Sequence, residues 1–256
     1  MSKPKMPGIN SAYDKEDDGD IIIKDQPSPR PKDAATLILI RPAGKTVEVL
    51  MGKRSGRHSF MPDKYVFPGG RVDPGDGRIP AITELHERSA EQLAVGTRRK
   101  ARAFALTAVR ETFEETGLIV GASKPDASGV KVHKDWQAFF AQSAIPSLNG
   151  LRFIGRAITP PYRPKRFDAR FFMADARQAL IDDRPPVDGA ELSDLQWVCL
   201  EDTSELDLPN VTRFMLDEIA QRVANPRHQQ GPPVLRWTRS GHSLVRLKAQ
   251  ANGKLS

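Results

Sequence analysis

The stretch RETFEETG, residues 110–117, restricts the fold more than any other part of the chain. Its three carboxylates, Glu111, Glu114 and Glu115, lie within five residues, and at about 100° per residue an α-helix turns all three onto one face. Leu106, Val109 and Phe113 fall in a narrow arc opposite, so the pattern predicts a helix over 103–116 with its apolar face buried and its acidic face turned outward. Gly117 is placed to close that helix as its left-handed C′ residue. Like charges one turn apart cost a helix about 0.2–0.5 kcal/mol per pair. Either solvent must absorb that repulsion at a plain acidic surface, or a cation must.

Around this helix the chain alternates strand-like and helix-like segments. AATLILI, residues 34–40, is a β-branched, Leu-rich run suited to a buried strand, and the turn-prone PAGK separates it from VEVLMGKRS, residues 47–55, as in a hairpin. KYVFPGGRVDPGDG reads as a short strand entering a Gly/Pro loop, and a polar stretch follows over 78–102. Further on, WQAFFAQSA is helical in pattern, whereas RFIGRAIT, FDARFFMA and DLQWVCL are strand-like. NVTRFMLDEIAQRV is an amphipathic helix expected to be capped by Asn210 and stopped near Pro226. The tail VLRWTRSGHSLVRL predicts a terminal hairpin turning at Ser240 and Gly241. Residues 1–32 mix Lys, Asp, Pro and Gly without periodicity and are expected to be a disordered tail. The class is α/β.

Composition excludes some functions. The longest apolar run is far short of the ~20 residues a membrane span requires. The N-terminus lacks a secretory h-region and is too acidic for a typical transit peptide. The single cysteine, Cys199, cannot form an internal disulfide and reads as a small buried hydrophobe, so a reducing cytoplasm is expected. The net charge of +7 comes from the tail: residues 222–256 hold seven Lys/Arg and no Asp/Glu, and the remainder balances. With no recognisable nucleic-acid-binding module, that charge does not favour a nucleic-acid partner.

Three features make the glutamate trio more than a charged surface. Arg110 precedes it and can orient a neighbouring carboxylate. FPGG lies upstream at a strand end, where two glycines let backbone groups approach an ion or phosphate. Asp76 follows Gly70 after five intervening residues. Together these resemble the Nudix box, G-x5-E-x7-R-E-U-x-E-E-x-G-U with U aliphatic: its second half matches from Arg110 to Leu118, and its first half begins at Gly70. There are three departures. Asp76 stands where the family has Glu, Thr112 replaces the aliphatic U on a half-buried flank, and Arg110 lies forty residues after Gly70 instead of fourteen, an insertion of 26 residues near 77–102 absorbed as a surface excursion.

The resemblance implies a Nudix fold over roughly 33–225, a mixed β-sheet sandwiched between α-helices, followed by a basic extension over 226–256. It implies hydrolysis of a nucleoside diphosphate linked to another moiety, assisted by Mg²⁺ or Mn²⁺, since clustered carboxylates suit a hard dication. Glu111 and Glu115 are the principal metal candidates, with Glu114 a further ligand or water-orienting group and the Gly70 carbonyl a backbone ligand. Arg110 is an orienter, and Glu111 and Glu191 are both candidate general bases.

LMGKRSGRHSFMPDKYVFPGG is similar to the segment before the box in coenzyme A and acyl-coenzyme A diphosphatases, where an Arg-Ser pair matches Arg54 and Ser55; RFDARFF is similar to the acyl-coenzyme A branch. Lys53, Arg54, Arg57 and Arg166 can pair with phosphates, although each also reads as an exposed solubilising side chain. His58 and His133 read as surface or packing residues, having no second His or Cys at ligand spacing. The leading expectation is a diphosphatase yielding a 4′-phosphopantetheine product and adenosine 3′,5′-bisphosphate. The alternatives are an ADP-ribose or nucleotide-sugar pyrophosphatase, a non-catalytic Nudix-fold ligand sensor and, below these, an RNA-processing relative. A homodimer through the insertion or the extension is compatible with the sequence.

Overall fold

The computed structural model describes residues 27–55, 63–97, 99–225, 230–238 and 241–247. Its centre is strand β1 (Lys32–Ala43), whose continuous apolar run is explained by burial on both faces. Ala35, Leu37 and Leu39 enter one core while Ile38 and Ile40 enter the other. Gly44, at φ 63°, turns β1 back onto β2 (Thr46–Arg54) as the expected hairpin.

Among the described residues, nine strands are hydrogen-bonded into one mixed sheet. β3 (Tyr65–Val66) and β9 (Leu192–Cys199) flank β2, while β4 (Gly69–Arg71) runs antiparallel to β1, with Gly70 opposite Ala35 and Gly69 opposite Thr36. On the other side β8 (Phe167–Asp175) is parallel to β1, followed by β7 (Arg152–Ile158), β10 (Pro233–Thr238) and β11 (Gly241–Arg246). β10 and β11 form an antiparallel hairpin, and β10 pairs parallel with β7, so the C-terminal segment extends the sheet. β5 (Gly121–Ser123) and β6 (Ala144–Pro146) make a separate small ladder.

Helices cover both faces, as the Nudix architecture requires. α1 (Glu87–Leu93), α2 (Ala101–Thr116), α3 (Lys134–Phe140) and the short α4 (Ala176–Ala179) lie with the Leu37/Leu39 core; α5 (Asn210–Ala224) packs Phe214, Met215, Leu216 and Ile219 into the Ile38 core. Two local expectations change. The N-cap of α5 is Pro209, which provides no side-chain cap, and Asn210 is the first helical residue. The stretch 78–102 is no plain surface excursion: α1 buries Ser89, Gln92 and Leu93, and Leu93 and Ile79 join the core around α2. No helix among the described residues is long and apolar enough to cross a membrane. Of the tail expected to be disordered over 1–32, the end is held in place, since Arg166 donates to Ser28 and Pro29 and Lys32 begins β1; residues 1–26, the turn residue Ser240 and the stop at Pro226 lie outside the described residues.

Candidate active site

The site is built where β4 crosses α2; the apolar face of that helix is buried as expected, but two of its three glutamates turn inward. α2 ends as expected at Gly117, in the left-handed region at φ 72°, with its N–H donating to the Phe113 carbonyl at 2.8 Å. Of its acidic face, however, Glu114 is exposed while Glu111 and Glu115 do not look outward. Phe104, Glu111 and Glu115 face the sheet: Phe104 lies under the Arg170 guanidinium of β8, and both glutamates meet the glycines of β4. The opposite arc is covered as well, since Phe113 packs edge-on against Phe139 of α3 with ring centroids 5.4 Å apart. Once α1 and α3 cover the outer side, the glutamates are left on the inner one. Thr112, expected on a half-buried flank, is fully buried and donates its hydroxyl to the Ala108 carbonyl at 2.7 Å.

Glycine is required twice in β4 by close approach. A Cβ on Gly69 would stand 2.5 Å from Thr36 Oγ1 and 2.7 Å from the Ala35 carbonyl oxygen. A Cβ on Gly70 would stand 2.5 Å from both carboxylate oxygens of Glu111, so the missing side chain is what admits the carboxylate to the strand. The Gly69 N–H donates to Glu115 Oε2 at 2.8 Å.

Arg110 organises the glutamates from beneath. Its guanidinium donates through Nε to Asp76 Oδ1 at 3.0 Å, and through Nη2 to Asp76 Oδ2 at 3.1 Å and to the Arg71 carbonyl at 3.0 Å. That leaves Nη1 for Glu114 Oε2 at 2.8 Å and Glu111 Oε1 at 2.9 Å. Asp76, in a 3-10 turn over Asp76–Arg78, is therefore the anchor of the arginine, buried away from solvent. Burial alone would raise its pKa, but the hydrogen bonds and charge of Arg110, with Thr107 and Trp136, hold it below the ordinary carboxylate value.

The glutamates show the opposite balance. Burial pushes Glu115, only 6% exposed, up to about 8, helped by repulsion from Glu111 and opposed by the Gly69 N–H and the charge of Arg54. Burial also pushes Glu111 up to about 7; Arg110 opposes this, while Glu114 and Glu191 reinforce it. Glu114, more open to solvent, is raised by burial against the pull of Arg110. Two carboxylates that burial makes hard to ionise thus lie against the glycines of β4, where an added cation would favour their charged forms.

The other expected residues divide. Arg54 and Glu191 are close enough for their charges to act on Glu115, and the Ser55 N–H donates to the Glu191 carbonyl at 3.1 Å, so β2 and the segment before β9 stand at the site. Arg166 is not brought there. Its guanidinium donates to the Thr159 carbonyl at 3.0 Å, Ser28 Oγ at 2.7 Å and the Pro29 carbonyl at 2.8 Å, and it lies four residues before Arg170, which is level with Gly70 across the intervening Ala35 of β1. At about 3.3 Å per residue that is roughly 13 Å along the strand. Lys53 pairs with Tyr65 and Ser193 in the sheet. His133 is half exposed beside Asp135, Cys199 is only half-buried, and Arg57 and His58 lie outside the described residues. Sequence reasoning missed Trp136, whose indole N–H donates to Asp76 Oδ1 at 3.0 Å across 60 residues of chain; no local spacing reveals such a pair.

Among the described residues, no three His, Cys, Asp or Glu side chains converge as a ready-made cage for one ion. The donor set nevertheless fits Mg²⁺ or Mn²⁺. Oxygen donors suit either ion, and Mg²⁺ binds through one or two carboxylates, keeping its other positions for water and phosphate. The Glu111 carboxylate occupies the space a Gly70 side chain would take, which sets its oxygens beside the backbone of β4.

A mixed sheet covered on both faces, with a glycine strand laid against the glutamates of a buried helix, has the arrangement of a Nudix domain. Residues 30–218 match the NUDIX domain family, and the chain belongs to that family. A Caenorhabditis elegans protein named "Putative nudix hydrolase 7" is 31% identical over 179 residues, covering 65% of this chain and 51% of that protein; the chain thus spans about half the length of this curated relative. The crystal structure of a NUDIX hydrolase from Alicyclobacillus acidocaldarius is similar over 77% of this chain and 96% of its own, at 28% identity and a TM-score of 0.55.

Proposed function

We propose that the chain hydrolyses the pyrophosphate linkage of a nucleoside diphosphate derivative with the aid of Mg²⁺ or Mn²⁺, and that its substrate is coenzyme A or an acyl-coenzyme A. The observation that carries the reaction class is the seating of Glu111 and Glu115 against Gly70 and Gly69 with Arg54 at hand. Glu111 and Glu115 would be the principal ligands of the ion, with the Gly70 carbonyl as a backbone ligand and Glu114 as a further ligand or water-orienting group, and a bound dication would supply stabilisation of negative charge developing on the phosphoryl oxygens.

The chain's own groups do the rest. Arg110 keeps Glu111 and Glu114 oriented through Nη1 while Asp76 holds the other side of the guanidinium. Glu111 or Glu191 takes the proton of the attacking water. Water oxygen bonds to one phosphorus as the anhydride P–O bond breaks, giving two phosphate monoesters. Arg54 and Ser55, at the end of β2 beside the site, support recognition of the substrate phosphates, and the Arg-Ser pair before the glycines supports the coenzyme A reading.

A substrate panel with Mg²⁺ and with Mn²⁺ tests this reading. Coenzyme A and acetyl-coenzyme A are expected to yield adenosine 3′,5′-bisphosphate and the matching phosphopantetheine. Turnover of ADP-ribose or a nucleotide sugar with none of coenzyme A would replace that substrate, and turnover of none of them would favour a ligand sensor.

A further inference from the structure

We propose that Trp136 is a positioning residue for the metal carboxylates, acting through Asp76 and Arg110; the proposal rests on the metal-binding reading of Glu111, Glu114 and Glu115. Trp136 lies on α3, outside the box, almost entirely buried and packed edge-on against Phe139 at 5.4 Å. Its indole nitrogen can only donate, and it donates to Asp76 Oδ1.

The Asp76 carboxylate has a crowded set of partners. Oδ1 receives Arg110 Nε and Trp136 Nε1, each at 3.0 Å; Oδ2 receives Arg110 Nη2 at 3.1 Å and the Asp73 N–H at 3.0 Å. Thr107 Oγ1 lies 2.7 Å from Oδ2 and 2.8 Å from the Ala103 carbonyl, yet it has one proton to give. Trp136 is thus the uncharged side-chain donor whose bond to Asp76 has no competing acceptor. Asp76 is one methylene shorter than the glutamate of the box pattern, so its reach to Arg110 depends on where its carboxylate is held. Both carboxylate oxygens hold Nε and Nη2 of Arg110, which fixes the direction in which Nη1 meets Glu111 and Glu114. A slack carboxylate lets the guanidinium rotate and loosens both glutamates.

Mn²⁺ affinity, measured by electron paramagnetic resonance or calorimetry on the folded full chain, tests the chain of contacts with no substrate present. Trp136→Phe is expected to weaken Mn²⁺ binding about tenfold, as for loss of one hydrogen bond to a charged group. It should also lower kcat more than it raises KM. The loss should nearly vanish in an Asp76→Ala background, where the link is already cut. Phe140→Leu, in the same helix and core, controls for packing and should lower the unfolding temperature without changing Mn²⁺ affinity. Unchanged Mn²⁺ affinity in Trp136→Phe, or an equal loss in the Asp76→Ala background, overturns the proposal alone. Failure of the wild type to bind Mn²⁺ overturns the metal reading with it. Mn²⁺ binding without coenzyme A turnover removes only the substrate.

Discussion

Glu115 is the residue in which stability and function oppose each other most directly. Its carboxylate is buried, repelled by Glu111 and held by one backbone N–H, so the charged form that a cation needs is the form the empty protein disfavours. Glu115→Gln keeps the shape and an acceptor for the Gly69 N–H while removing the charge. Hydrolysis is expected to fall by at least about a hundredfold, with metal-free thermal unfolding at pH 8.5 unchanged or raised; retained turnover would remove Glu115 from the reaction. Gly70→Ala tests the close approach independently: the new methyl would drive Glu111 off the strand, and activity should drop while the circular dichroism spectrum stays native. At this scale the glutamates and glycines were legible because each motif is local. Their inward facing was not, because it depends on what α1 and α3 cover, and the bond from Trp136 to Asp76 joins residues that no periodicity relates.

Elements were readable wherever burial imposed a period. β1, β2, β7, β8 and β9 show the apolar runs of a sheet covered on both faces, and α5 shows the stripe of a helix covered on one. α1 was hidden because its seven residues present only Leu93 as a large buried aliphatic, too little for a helical pattern. Leu93→Ala should destabilise the protein by about 2–5 kcal/mol in denaturant titrations and leave Mn²⁺ affinity unaltered, since Leu93 supports α2 and not its carboxylates. The C-terminal hairpin is locked by charge: buried Glu218 of α5 accepts from Arg222 at 2.6 Å and from Arg246 of β11 at 2.9 Å. Glu218→Ala leaves two arginines uncompensated and should cost about 3–5 kcal/mol, again read by denaturant unfolding.

Across the whole molecule, metal and proton compete for one site. Glu111 and Glu115, pushed up to about 7 and 8 from 4.5, bind more protons in the native than in the unfolded state between about pH 4.5 and 8. Their contribution to metal-free stability is therefore fully present at the acid end of that window and is lost as pH rises, by about 1.4 kcal/mol per pH unit for each proton held. Asp76 acts in the opposite sense, because its lowered pKa contributes stability above the ordinary carboxylate range and loses it as acid protonates the group. Mn²⁺ should reverse the alkaline decline, stabilising the fold most where the carboxylates are charged. The most direct measurement is calorimetric titration of the full chain with Mn²⁺ at pH 7 in buffers of differing ionisation enthalpy, which counts protons expelled by the ion. Release of roughly one proton per ion, reduced in Glu115→Gln, is the predicted result; binding without proton release, or no binding, would contradict the account.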